Sequence, residues 1–196
     1  MPTILIPTKL DTAAADTLRD NGFDVVQDPD KSLDELVGAH PDAAGLIVRS
    51  EKITAAVIDA LPGLKVVVRA GAGYDNIDTK HARRQGVDVM NTSGANANAV
   101  AEEVIALVLA AYRHVIPADA SARTGAWEKK KFMGRELSKK TVGIVGLGNI
   151  GQLVAQRLAG FDNRIIVYDP VVSADKAEEL GAELCSLQEL FAAADI

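Results

Sequence analysis

The sequence is poor in the residues that build disulfides and metal centres. One cysteine, Cys185, stands in 196 residues, so no intrachain disulfide is possible. A lone thiol of this kind is expected as a small core residue rather than a nucleophile. The three histidines, His40, His81 and His114, lie far apart, and no Cys/His cluster has ligand spacing, so no metal site is expected. Basic residues are in the minority, 21 against 27 acidic, for a net charge of −6. That balance argues against a nucleic-acid or membrane-surface partner. No apolar run approaches the roughly 20 residues that span a bilayer. Met1-Pro2-Thr3-Ile4-Leu5-Ile6 lacks the basic region and apolar length of a signal peptide, so a cytoplasmic location is expected. Core material is ample, with 48% hydrophobic and 24% charged residues, as in ordinary globular domains.

The first 95 residues alternate short apolar runs with helical patterns. Ile4-Leu5-Ile6, Asp24-Val25-Val26, Gly45-Leu46-Ile47-Val48, Lys65-Val66-Val67-Val68 and Val87-Asp88-Val89-Met90 read as strands. Asp11 caps a helix reaching Leu18, and Ser32 with Glu35 forms a capping box opening a helix through Val37. A helix from Thr54 to Leu61 and one from Asp78 to Gln85 complete the series. Strands separated by helices indicate a parallel sheet covered on both faces. Residues 1–95 are therefore expected to form one flavodoxin-like α/β domain.

Residues 96–196 are expected to form a second domain. A long helical pattern starts near Ala99, is interrupted at Pro117 and resumes to about Arg123. Gly125 to Phe132 shows no period and reads as an exposed basic loop or a subunit contact, with the only tryptophan, Trp127. Then comes Thr141-Val142-Gly143-Ile144-Val145-Gly146-Leu147-Gly148-Asn149-Ile150-Gly151, a strand, a glycine-rich turn and a helix start. A lone G-x-G-x-x-G is weak evidence, but strand and helix patterns flank this one. Gly146 permits the tight turn, Gly148 lets the backbone approach a pyrophosphate, and Gly151 allows close helix–strand packing. The helix N-terminus offers free N–H groups to that pyrophosphate. The next strand, Ile165 to Tyr168, ends at Asp169, whose carboxylate would accept from the adenosine 2′-OH and 3′-OH. It would repel a 2′-phosphate, and Pro170, Val171 and Val172 offer no neighbouring cation, so NAD is expected rather than NADP. The bland alternative is a structural turn with a solvated aspartate. Helix Ala174–Leu180, strand Glu183–Cys185 and a helix capped by Ser186 and Glu189 follow, ending at Ile196. A dinucleotide-binding sheet has two β-α-β-α-β halves, so a truncated Rossmann domain with an unpaired sheet edge is expected.

Several segments together are similar to the D-isomer-specific 2-hydroxyacid dehydrogenases. They are Arg69-Ala70-Gly71-Ala72-Gly73-Tyr74-Asp75-Asn76-Ile77-Asp78, Val89-Met90-Asn91-Thr92, Val100-Ala101-Glu102 and Glu136 through Gly151. Leu46 to Ser50 and Trp127 to Gly134 resemble the members acting on a phosphorylated substrate. The resemblance implies oxidation of 3-phospho-D-glycerate to 3-phosphohydroxypyruvate with NAD, the entry into serine biosynthesis. It implies that Arg49 and Arg69 hold the anionic substrate, with Gly71, Ala72 and Gly73 turning N–H groups toward its carboxylate. Guanidinium forks at strand carboxyl ends suit such an anion. Ala72 is implied to lie near the nicotinamide, Asn149 and Ile150 to give amides to the pyrophosphate, and Asn96–Val100 to form a hinge with Val100 near the cofactor. The helix Val100–Ala111 and the Trp127 loop resemble an intersubunit arm, implying a homodimer or larger homo-oligomer.

The family uses an Arg, a Glu and a His general base late in its cofactor domain. None of the three histidines here fits that role, so the catalytic residues are expected beyond Ile196, and a polypeptide ending there is expected to be inactive alone. His81 is expected to be a solvated helix residue, His40 a loop residue before Pro41, and His114 a cap near a helix C-terminus. Alternatives are another 2-hydroxy acid such as glyoxylate or D-lactate, or a non-catalytic NAD-sensing protein on the same scaffold.

Overall fold

A computed structural model describes residues 1–196 as two compact units, Met1–Ala95 and Asn96–Ile196. In the first, β1 (Thr3–Ile6), β2 (Asp24–Gln27), β3 (Gly45–Val48), β4 (Val66–Arg69) and β5 (Asp88–Asn91) form one sheet in the order β2-β1-β3-β4-β5. All pairings are parallel, which gives the flavodoxin-like order with a switch point between β1 and β3. Between the strands run α1 (Thr12–Asp20), α2 (Leu33–Ala39), α3 (Ala55–Asp59) and α4 (Thr79–Arg84).

The period-2 alternation of the strands sorts their side chains into two cores. Leu5, Leu46, Val48 and Val67 join one cluster, and Ile4, Ile6 and Val25 the other. The capping box of Ser32 and Glu35 forms as expected, and Asp78 caps α4 by accepting from the His81 amide at 2.9 Å. Thr54 precedes α3 without capping it, and that helix is shorter than its sequence pattern.

The second unit contains α5 (Ala97–Tyr112), α6 (Val115–Arg123), β6 (Thr141–Val145), α7 (Asn149–Ala159), β7 (Arg164–Tyr168), α8 (Ala174–Glu179), β8 (Ala182–Leu184) and α9 (Leu187–Ala193). Its sheet is parallel, in the order β6-β7-β8, the first β-α-β-α-β half of a Rossmann sheet. Val104, Ile105, Val108 and Leu109 of α5 pack onto a core built from Val142, Leu147, Val154, Leu158 and Val167.

Four expectations change here. Pro117 does not break the long helix: it sits in the first turn of α6, where its missing N–H would have had no partner. The break lies at His114, in the left-handed conformation at φ 51°. His114 therefore precedes a helix instead of capping a C-terminus, and its side chain makes no capping bond. Cys185 is half-buried at the end of β8 and not a core residue. The edge of β6 away from β7 is partly paired, because the Asp195 amide donates to the Thr141 carbonyl at 2.8 Å and the Gly143 amide to the Ile196 carbonyl at 2.9 Å.

Candidate functional site

The second unit gathers six of the expected cofactor residues around the β6–α7 turn. Gly146 has φ +96°, a conformation costly for any residue with a side chain. At Gly151 a Cβ would lie 2.1 Å from the Gly146 carbonyl oxygen, so the helix can sit this close only with glycine. Gly148 differs, because its φ is −73° and a Cβ there would meet nothing within 4 Å. The fold does not need glycine at 148, and its absent side chain leaves the turn's outer side bare. The amides of Gly148, Asn149 and Ile150 donate to no protein acceptor, and the first turn of α7 holds no acidic residue. An unneutralised helix N-terminus with free amides suits a pyrophosphate.

Asp169 closes the turn from the end of β7. Its Oδ2 accepts from the Leu147 amide at 2.7 Å, and its Oδ1 from the amides of Val171 at 2.8 Å and Val172 at 3.0 Å. The Leu147 bond first, then those of Val171 and Val172, hold its carboxyl below the usual carboxylate range. A carboxylate offers about four acceptor positions, and three are taken. One position on Oδ2 is left for a ribose hydroxyl, fewer than the two expected from sequence. Val100 lies in the first turn of α5, half-buried, and makes no side-chain bond to this turn. Val104, one turn further on, lines an apolar cavity with Gly146, Ile150 and Gly151.

The first unit gathers Arg49, Arg69, Gly71, Ala72 and Gly73. Strands β3 and β4 are neighbours with Val48 opposite Arg69, so both arginines stand at the carboxyl edge of the sheet, where open α/β sheets bind ligands. Arg69 Nε donates to the Arg49 carbonyl at 3.1 Å. Neither guanidinium is in a salt bridge, whereas Arg19, Arg123 and Arg164 each have an acidic partner. The Arg69 guanidinium lies over the following turn, so a Cβ on Gly71 would be 1.6 Å from Nη1. That turn is tied by the Gly71 amide to the Arg69 carbonyl at 2.8 Å and by the Thr92 amide to the Gly71 carbonyl at 3.0 Å. The Asn91 side-chain amide adds a bond to the Ala72 carbonyl at 2.6 Å. The amides of Ala72 and Gly73 donate to no protein group. The arrangement offers two unpaired cations and free N–H groups to an anion.

Sequence reasoning missed Asn91, Glu51 and Asn76, which tie these loops together. Asn91 and Asn76 reach main-chain groups 19 to 27 positions away, which no local spacing announces, whereas Glu51 accepts from the amides of the two residues before it. His81 is also corrected. Its side chain is only 15% exposed, and Nε2 lies 2.7 Å from Asp59 Oδ1, linking α4 to α3 instead of being solvated. His40 follows α2, and no histidine bonds to a residue of either site. No group of three or more His, Cys, Asp or Glu could hold a metal ion, and no helix is long and apolar enough to cross a membrane.

Residues 105–196 match the D-isomer specific 2-hydroxyacid dehydrogenase, NAD binding domain. The D-3-phosphoglycerate dehydrogenase of Mycobacterium tuberculosis is 46% identical over 198 aligned positions, covering 100% of this chain. The chain spans 37% of that relative's length. Among solved structures, the TT0316 protein from Thermus thermophilus is 34% identical with a TM-score of 0.85, over 98% of this chain and 62% of that one. A glyoxylate reductase from Paecilomyes thermophila is 27% identical with a TM-score of 0.87, over 99% and 63%.

Proposed function

The chain belongs to the D-isomer-specific 2-hydroxyacid dehydrogenases, and from that premise we propose that it serves the NAD-dependent oxidation of 3-phospho-D-glycerate to 3-phosphohydroxypyruvate, the entry into serine biosynthesis, in the cytoplasm. The observation that carries the substrate is the pair of unpaired guanidiniums, Arg49 and Arg69, on adjacent strand ends. A substrate with both a carboxylate and a phosphate presents two anionic groups to two forks. The free amides of Ala72 and Gly73 add neutral donors for the carboxylate. With Arg69 Nε engaged by the Arg49 carbonyl, its two Nη groups remain as the fork.

When bound, NAD would supply the acceptor for the hydride leaving C2 of the substrate. The amides of Gly148, Asn149 and Ile150 would hold its pyrophosphate, and Asp169 would take a ribose hydroxyl on its remaining acceptor position. The bare Gly148 side of the turn and the charge of Asp169 fit the group, and the same charge opposes a 2′-phosphate. Ala72 and Val100 are proposed beside the nicotinamide and Asn96–Val100 as a hinge. Removing the hydroxyl proton requires a base within hydrogen-bond reach. Because His81 is engaged by Asp59 and neither His40 nor His114 makes a side-chain bond to the site residues, a polypeptide of residues 1–196 is expected to form no NADH and to bind NAD weakly.

Calorimetric titration of the chain with 3-phospho-D-glycerate and with D-glycerate tests the substrate. The phosphate-bearing acid should bind about tenfold tighter or more, since one charge-assisted bond contributes roughly 1.5–3 kcal/mol. Equal affinities would refute a doubly anionic substrate. They would favour a singly charged acid such as glyoxylate or D-lactate, a reading also supported by the likeness to a glyoxylate reductase.

A further inference from the structure

Two side chains near the arginines have no place in the proposed chemistry, yet both end on the main chain of Arg49. Glu51 Oε2 accepts from the Arg49 amide at 2.8 Å and from the Ser50 amide at 3.1 Å. On the other side of the same peptide, the Asn76 amide nitrogen Nδ2 donates to the Glu51 carbonyl at 2.7 Å and reaches the Arg49 carbonyl at 3.5 Å. Arg69 Nε meets that same Arg49 carbonyl at 3.1 Å. Main-chain bonds continue the seam: the Ile53 amide donates to the Asn76 carbonyl, and the Asp78 amide to the Ile53 carbonyl, each at 2.8 Å. The β3–α3 and β4–α4 loops are thereby joined where they carry the two cations.

We propose that Asn76 and Glu51 are positioning residues: they hold the Arg49 backbone between them and so keep its guanidinium beside that of Arg69 for an anionic substrate group. The proposal rests on the reading of Arg49 and Arg69 as the substrate's anchors. Partial burial pushes the Glu51 carboxyl up, but bonds from main-chain amides and from the Thr8 hydroxyl outweigh it and keep the group below its ordinary value. An ionised acceptor strengthens hydrogen bonds from amides. Asn76 is suited because it brings two N–H donors to a pair of carbonyls. An aspartate of the same shape, when ionised, has none to give.

The test compares Asn76→Asp, Asn76→Ala, Glu51→Gln and Glu51→Ala in this chain by two readouts. The first is amide hydrogen exchange at Arg49 and Ser50, with Leu46 in mid-strand as reference. Glu51→Ala should speed exchange at 49 and 50 by about tenfold or more relative to Leu46, and Glu51→Gln by less. The second is affinity for 3-phospho-D-glycerate, with NAD affinity measured alongside. Asn76→Asp and Glu51→Ala should weaken substrate binding about tenfold and leave NAD binding unchanged, with partial recovery in Glu51→Gln. If a harsher variant unfolds, Leu46 exchanges too, and Glu51→Gln and Asn76→Ala carry the comparison. Unchanged exchange at 49 and 50 would overturn the clamp. Faster exchange with unchanged substrate affinity would overturn the positioning role. Arg49→Ala and Arg69→Ala test the underlying reading separately: if neither affects binding, or the unsubstituted chain binds no substrate, the anchors are wrong and the positioning role falls with them.

Discussion

Gly148 and Gly151 stand three positions apart in one motif, yet the structure gives them different duties. Gly151 serves the fold, because a Cβ there would collide with the Gly146 carbonyl oxygen at 2.1 Å. Gly151→Ala is expected to cost about 1–3 kcal/mol as an overpacked contact, measured by urea unfolding. Gly148→Ala should leave stability within about 0.5 kcal/mol, since a Cβ there meets no protein atom. Its NAD affinity should nevertheless fall about tenfold or more, measured by calorimetry. A stability loss at 148 matching that at 151 would refute the division. Asp169 makes a second prediction at this scale. Its folded pKa lies below the ordinary 3.8 because backbone amides favour the ionised form. Its contribution to stability is therefore complete above the unfolded value and lost as pH falls from there through the lowered folded value. Asp169→Asn should flatten the acid limb of the stability profile below about pH 4, and an unchanged limb would refute the bonds. The sequence made Asp169 visible by its spacing from the glycines. It could not show that Leu147, Val171 and Val172 occupy three of its acceptor positions, because those bonds depend on how two loops close over it.

At the scale of elements, what was legible was local. The capping boxes Ser32/Glu35 and Ser186/Glu189 form as their spacing implies, because a cap involves groups three residues apart. The inner parallel strands β1, β3 and β7 were legible as apolar runs buried on both faces. Errors arose where a residue's role is set from a distance or by a neighbour's conformation. His81 looked solvated beside Arg83 and Arg84, but its partner Asp59 is 22 positions away. Pro117 looked like a breaker, but His114 had already turned the chain. A histidine at φ 51° carries the Cβ strain of the left-handed region, roughly 1–2 kcal/mol. Its side chain makes no capping bond to offset that cost. His114→Gly is expected to raise stability by up to about 1 kcal/mol after the added chain entropy of glycine, read as a higher urea midpoint at unchanged m-value. A lower midpoint would mean that the histidine side chain holds the α5–α6 corner.

At the scale of the whole molecule, each unit is proposed to contribute a different binding capacity. The second unit also has an apolar surface the fold leaves open: Leu107, Val115, Ile116, Trp127 and Met133 are all exposed, Trp127 by 88%. The Trp127 loop is nonetheless built: Ser121 Oγ donates to Glu128 at 2.7 Å, and the Arg135 amide to the Tyr112 carbonyl at 2.9 Å. An ordered segment presenting tryptophan and methionine fits a subunit contact, where such residues are enriched. The chain is proposed to self-associate through it, with light scattering giving the mass of a dimer or larger oligomer. Trp127→Ala should shift that mass toward the monomer at micromolar concentration, and a concentration-independent monomer before substitution would end the proposal. A division of labour between the units is proposed, the first taking the acid and the second NAD. Its most direct test is the amide NMR spectrum of the ¹⁵N-labelled chain, titrated with 3-phospho-D-glycerate and then with NAD. The acid should shift the amides of Arg49, Ser50, Ala72 and Gly73, and NAD should shift Gly148, Asn149, Ile150 and the residues after Asp169. Saturating acid that leaves residues 49–73 unmoved, or NAD that leaves the 146–151 turn unmoved, would contradict it.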